Sequence, residues 1–337
     1  MDAEIDALSL AWAIPGPWRS TELVVGANNR VLRVDTPASG AYVLRIYRNH
    51  ADPRRVRHEL AVVAALQHES LPFVVPAPVA TRAGEPTHRF STPDGEALAV
   101  LWPFVPGTHP DRDNLERASA AGEALARLDA ALTRVALPAS PDLSPPAPMG
   151  NLRRRLGLDA APAEVLATLP GDPESIQRVV ALARRVEERV PELYATLPKQ
   201  IIHGDYDPSN ILMEGTRVTA VFDFEFSTRD LRVEELVVPL SWWPIAYFGT
   251  GREWPIIDAF GRGYARGQRL QPAEIAALLD VWRLRAVGSL AHRAMRRRRG
   301  LTSADQIVRR VDLTLAHEDW LTANGPRLME MAASWWS

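Results

Sequence analysis

His203-Gly-Asp-Tyr-Asp-Pro-Ser-Asn210 decides how this chain is read. Asp205 and Asn210 stand five positions apart in a polar loop, and Asp223 follows thirteen residues later inside Phe222-Asp-Phe-Glu-Phe226. Around them, short apolar runs (Ile201-Ile202, Ile211-Leu-Met213 and Val218 to Phe222) alternate with polar loops. That pattern predicts short strands and a hairpin with acidic residues at their ends.

Two carboxylates and an amide so spaced suit phosphoryl transfer. Its loose transition state is stabilised by positioning and charge neutralisation. One carboxylate would orient an attacking hydroxyl and take its proton. A second carboxylate and an amide oxygen would supply oxygen ligands, the type Mg²⁺ prefers.

Working outward, Thr21 to Val25, Arg30 to Val34 and Ala41 to Tyr47 read as strands, with Gly26 and Asn28-Asn29 after the first. Turn residues Pro37-Ala-Ser-Gly40 predict a hairpin between the last two. A helix starts at the N-cap Asp52 and at Pro53, with Val56, Leu60 and Val63 at helical spacing. Strands near His88 to Ser91 and Glu96 to Leu101 flank a turn at Pro93-Asp94-Gly95. Trp102-Pro-Phe-Val-Pro-Gly107 then breaks the pattern.

Beyond it the chain turns helical. Ala118, Ala121, Leu125, Leu128 and Leu132 mark one helix, and Ile176 to Val190 another, ended by Pro191. Pro138 to Pro148 reads as an extended connection, and Pro272 onward as helix. The expected division is a lobe over 1–101, a hinge over 102–107 and a second lobe over 108–337.

Composition narrows the classes. The chain has 337 residues, 46% hydrophobic and 24% charged, with net charge −2 and no cysteine. Disulfides, thiolate metal sites and a Cys nucleophile are excluded. No signal peptide or membrane span is evident, so a cytoplasmic protein without membrane partners is expected. The run Arg296 to Arg299 raises nucleic-acid binding, but the slightly negative total makes a solvated helix face the preferred reading.

The sequence H-G-D-x4-N followed by D-F-E resembles the protein-kinase catalytic loop and metal motif. It looks like the aminoglycoside phosphotransferase superfamily, which includes type II homoserine kinases and choline kinases, over roughly residues 20 to 300. Gly26 to Val34, with Asn29, resembles that family's nucleotide loop. Tyr42-Val-Leu-Arg-Ile-Tyr47 resembles its third strand, and Gly122 to Leu128 its helix after the hinge.

The resemblance implies an α+β, protein-kinase-like fold of two lobes. It implies ATP and Mg²⁺ as cofactors and a small-molecule hydroxyl (amino alcohol such as homoserine, aminoglycoside or other antibiotic, sugar) as acceptor. Asp205 would be the catalytic base and His203 would hold its loop. Asn210 and Asp223 would hold the metal. Arg45, paired with Glu59, would face the phosphates, while Asn29, Trp102, Phe104 and Val105 would meet the nucleotide.

Three positions depart from the family: Arg45 for its Lys, Glu235-Leu236 for its Asp-Leu pair, and Asp129 for its His. The first two keep a non-catalytic nucleotide-binding regulator as the alternative. For the acceptor side, Arg283, Arg285 or Arg293 could meet an anionic substrate group, and Trp242, Trp243 or Trp254 could line a pocket.

Overall fold

The computed structural model describes residues 5, 8–23, 29–37, 39–47, 52–92 and 95–337. The expected turn residues Pro93-Asp94, the end of the first strand (Val24-Val25) and the loop residues Gly26 and Asn28 lie outside them.

The first lobe is a five-stranded antiparallel sheet in the order β1-β2-β3-β5-β4. The strands are β1 (Arg19–Leu23), β2 (Arg30–Thr36), β3 (Gly40–Tyr47), β4 (His88–Thr92) and β5 (Gly95–Pro103). Thr36 pairs with Gly40 to close the expected hairpin. Alternation gives the sheet two faces. Leu44, Ile46, Ala99 and Leu101 pack with Trp12 and Trp18 on one. Tyr47, Leu98 and Val100 pack on Val56 and Leu60 of α1 (Pro53–Leu66) on the other. Arg45 shares the Tyr47 face, so it points toward α1 and Glu59. The Asp52 carboxylate caps α1, accepting from the Arg54 N–H at 3.0 Å.

Strand β5 runs through Trp102 and Pro103, two residues into the expected hinge. Its pairing with β3 continues to Tyr42 opposite Pro103, because a proline at a strand end costs little. Helix α2 (Leu115–Arg134) follows, and then the proline-rich stretch, which the Thr228 hydroxyl grips at the Pro146 carbonyl (2.5 Å).

Helix α3 (Pro173–Thr196) does not stop at Pro191 as expected but runs five residues further. Tertiary contacts outweigh the proline there. Leu193 is buried in the main core, and the Tyr194 hydroxyl bonds the Gly150 N–H (2.7 Å).

Two small sheets carry the chemistry: β6 (Lys199–Ile202) with β9 (Thr228–Leu231), and β7 (Ile211–Glu214) with β8 (Arg217–Val221). The longer helices that follow in the second lobe are α4 (Arg232–Trp242), α5 (Glu253–Ala265), α6 (Leu278–Arg298) and α7 (Ala304–Ser334). Helix α2 packs on α5 so closely that a Cβ on Gly122 would lie 2.2 Å from the Phe260 carbonyl oxygen. Among the described residues, no helix is long and apolar enough to cross a membrane.

The hairpin β7–β8 is bonded along both outer edges. Val74, just after α1, pairs with β8 (Val74 N to Thr219 O, 2.9 Å; Val221 N to Val74 O, 3.0 Å). Thr108, just past the expected hinge, pairs with β7 at Met213 (2.9 and 3.2 Å).

Candidate active site

The loop from β6 to β7 and the turn after β8 bring the three predicted residues together. The Asn210 amide donates to the Asp205 carbonyl (2.8 Å) and reaches the Asp205 carboxylate at 3.3 Å. The Phe222 N–H donates to the Asn210 carbonyl (3.1 Å), which sets Asp223 beside Asn210. Asp223 sits at φ 70°, rare for a side-chain-bearing residue and a strain that a fixed site sustains. Asp207 caps the short turn by accepting from the Ser209 N–H (2.6 Å).

His203 is fully buried and acts on the loop rather than on a substrate. Its Nε2 meets the Phe222 carbonyl (3.0 Å) and its Nδ1 accepts the Asp205 N–H (3.2 Å). Burial pulls its pKa down to about 4, so the ring is neutral and spans the two motifs.

Glu235 overcomes the departure at its position. One of its oxygens accepts the His203 N–H and the Gly204 N–H (3.2 Å), so the longer acid still supports the loop. Asp129, the third departure, is buried on α2 and takes a 2.7 Å bond from the Tyr264 hydroxyl of α5.

Arg45 joins the lobes. Its guanidinium donates to Asp223 (2.9 Å) and Glu225 (2.7 Å) and lies 3.4 Å from Glu59. Glu59 is buried rather than exposed, and it also takes the Tyr47 hydroxyl at 3.0 Å. Burial disfavours the Arg45 charge, yet Asp223, Glu225 and Glu59 outweigh it and hold the guanidinium well above its usual pKa. Burial raises the Asp223 carboxyl, opposed by Arg45. Asn29 joins this set by donating to Glu225 (3.0 Å).

Of the expected nucleotide contacts, Trp102 packs between α1 and the main core. Phe104 carries the Arg33 guanidinium 4.5 Å from its ring centre, and its N–H donates to Ala41 (3.1 Å). Val105 is half-buried.

The donor set fits Mg²⁺ only in part, as a nucleotide-borne ion needs. Asn210 and Asp223 offer hard oxygen donors, and the remaining positions are left for water and phosphate oxygens. Among the described residues, no group of three or more His, Cys, Asp or Glu converges into a ready-made cage.

Asp205 has a partner that the sequence placed among three candidates. Arg285 on α6 donates to its Oδ1 at 3.0 Å and lies 3.5 Å from the buried Glu234. Arg283 turns away to Glu318 (2.8 Å). Burial lifts the Asp205 carboxyl to about 7, with Arg285 pulling the other way. Of the three tryptophans, Trp243 and Trp254 are core. Trp242 lines a cavity together with Trp282, Arg285 and Arg310. Sequence reasoning missed Arg310, His317, Ser289 and Glu234. The one available signal was helical spacing (285 with 289, 310 with 317), which does not say which face is lined.

The chain matches the phosphotransferase enzyme family over residues 20–278. The homoserine kinase of Beijerinckia indica subsp. indica is 28% identical over 246 residues, 71% of this chain and 68% of the relative. A homoserine kinase of Rhodopseudomonas palustris is 27% identical over 242 residues, again 71% and 68%.

Two solved structures share the fold. A microcompartment-associated aminopropanol kinase has a TM-score of 0.70 at 20% identity, covering 97% of this chain and 100% of that one. An amicoumacin kinase in complex with AMP-PNP and Ca²⁺ has a TM-score of 0.71 at 16% identity, covering 95% and 96%. The two-lobed architecture is thus the protein-kinase-like one. With the catalytic-loop elements assembled and the family matched over most of its length, the chain belongs to the phosphotransferase enzyme family and is a small-molecule kinase.

Proposed function

We propose that the chain moves the γ-phosphoryl of Mg-ATP to the hydroxyl of a small acceptor, with Asp205 as the base. The observation that carries this is the joining of Arg45 on β3 to Asp223 after β8, 178 positions apart. It brings a cation beside one of the residues suited to the metal, which supports a phosphate-binding role for Arg45. The matched homoserine kinases make an amino alcohol such as homoserine the first acceptor to try.

In this reading the acceptor hydroxyl lies against the Asp205 carboxylate, which takes its proton as the oxygen attacks phosphorus. Asn210 fixes that carboxylate, and His203 with Glu235 fixes the loop backbone. Arg45 keeps Glu59 and offers guanidinium N–H groups to the phosphates. Asn210 and Asp223 would hold Mg²⁺, which supplies charge neutralisation on the phosphate oxygens. The hinge over 102–107 would border the base of the nucleotide, the first lobe (1–101) lying above and the second (108–337) below.

The test is ATP consumption with Mg²⁺ across homoserine, choline, simple sugars and aminoglycosides, beside Asp205→Ala. Turnover with one acceptor should fall by about 10²–10⁴-fold in the variant while nucleotide binding persists. A variant that keeps its rate removes Asp205 from the mechanism. Failure of the wild type to bind Mg-ATP removes the reading altogether.

A further inference from the structure

Beside Asp205, helices α4, α6 and α7 line a small cleft of about 30 Å³ that opens to solvent. Arg285 belongs both to this cleft and to Asp205. A molecule held in the cleft therefore lies one side chain away from the proposed base.

The lining has a definite chemistry. Arg310, Arg285, His317 and Ser289 contribute polar groups, Trp242 and Trp282 contribute flat walls, and no lining side chain is acidic. Arg310 rests over the Trp242 ring (4.9 Å) and donates to the Ser289 hydroxyl. Among the described residues it has no carboxylate partner. Burial lowers its pKa to about 10, and Arg293 and Arg285 add to the lowering.

A half-buried cation among cations costs free energy that an incoming anion would recover. Other donors there are also unsatisfied. The Trp282 indole N–H, the Arg285 Nε and the His317 Nε2 are buried without a hydrogen-bond partner among the described residues. Trp282 is 1% exposed, so its N–H cannot turn to bulk water. Burial, then Arg310, pulls His317 down to about 4, leaving a neutral ring able to donate.

We propose that this cleft is the acceptor subsite for an anionic oxygen group, carboxylate or phosphate, with Arg310 the residue that reads it. The proposal rests on the kinase reading above and adds a substrate class to it. The acceptor is a hydroxylated acid whose hydroxyl reaches Asp205 while its anionic end meets Arg310. Polycationic acceptors and simple amino alcohols lack the group that the cleft is built to pair.

Matched acceptors test this. L-homoserine is compared with 3-aminopropan-1-ol, glycerate with glycerol, and glycerol 3-phosphate tells phosphate from carboxylate. Acids should exceed their uncharged or decarboxylated counterparts in kcat/KM by about 10- to 100-fold, as one charge-assisted pair provides. In Arg310→Met that preference should vanish through KM with kcat little changed, and Arg310→Lys should restore part of it. Circular dichroism and the thermal midpoint of Arg310→Met, unchanged from wild type, serve as the check on folding.

A preference for the decarboxylated partners overturns the subsite, as does an acid preference that survives in Arg310→Met. Both outcomes leave the kinase reading standing, since phosphoryl transfer still occurs. Should no acceptor turn over, calorimetry with the AMP-PNP complex decides. Acid binding lost in Arg310→Met supports the subsite, and no acid binding overturns it.

Discussion

Arg45 and Arg310 are the same kind of side chain buried in opposite company. Around Arg45 three carboxylates, Glu59, Asp223 and Glu225, lie within 3.4 Å. Around Arg310 the nearest partners are a hydroxyl and an indole ring, with two further arginines close enough to depress its pKa. The first region gathers carboxylate oxygens around one arginine, donors of the hard type that a divalent cation takes. The second holds positive charge without a counter-ion. On the proposals above, a cation-borne nucleotide and an acid would thereby be sorted to the two regions.

Breaking the first region has the larger effect. Arg45→Met leaves buried carboxylates facing one another and should lower unfolding stability by about 3–5 kcal/mol in urea titrations. Added Mg²⁺ should recover part of the loss. So should a pH near 5, because the unpaired carboxylates then take up protons. Arg310→Met should leave stability unchanged or raise it, since it removes a cation from among cations. Equal losses in the two variants would erase the contrast.

Between the two regions lies Asp205, which must be ionised to accept a proton. Burial lifts it to about 7. The rate, as kcat/KM, should therefore rise as pH increases through about 7 and level off above. Arg285 lowers this pKa, so Arg285→Met should move the limb to higher pH. A limb that stays in place in that variant would disconnect Arg285 from the base.

The smallest effect concerns Glu235. Burial, then Asp129, holds its carboxyl well above the usual range, which favours the uncharged form. Glu235→Gln should stay within about 1 kcal/mol of wild type, because an amide oxygen can still accept both N–H groups. Glu235→Ala orphans them and should lose about 1–3 kcal/mol together with activity.

Much of this was legible beforehand for particular reasons. The spacing of Asp205, Asn210 and Asp223 was local, and strand alternation put Arg45 and Tyr47 on one face. A helix ending at Pro191 was a local expectation that packing of Leu193 and Tyr194 overrode. The burial of Glu59 depended on which face of α1 met the sheet, which periodicity left open. The Arg310 cleft was unreadable because its walls come from helices α4, α6 and α7, brought together only by packing.

The hairpin β7–β8 has a mechanical consequence. With Val74 of the first lobe bonded to one edge and Thr108, just past the expected hinge, bonded to the other, it is fastened to chain on both sides of that hinge. Asn210 and Asp223 flank that hairpin. A swing of one lobe against the other would therefore strain the positions proposed to hold the metal, and closure on a nucleotide would also set the grip on its ion.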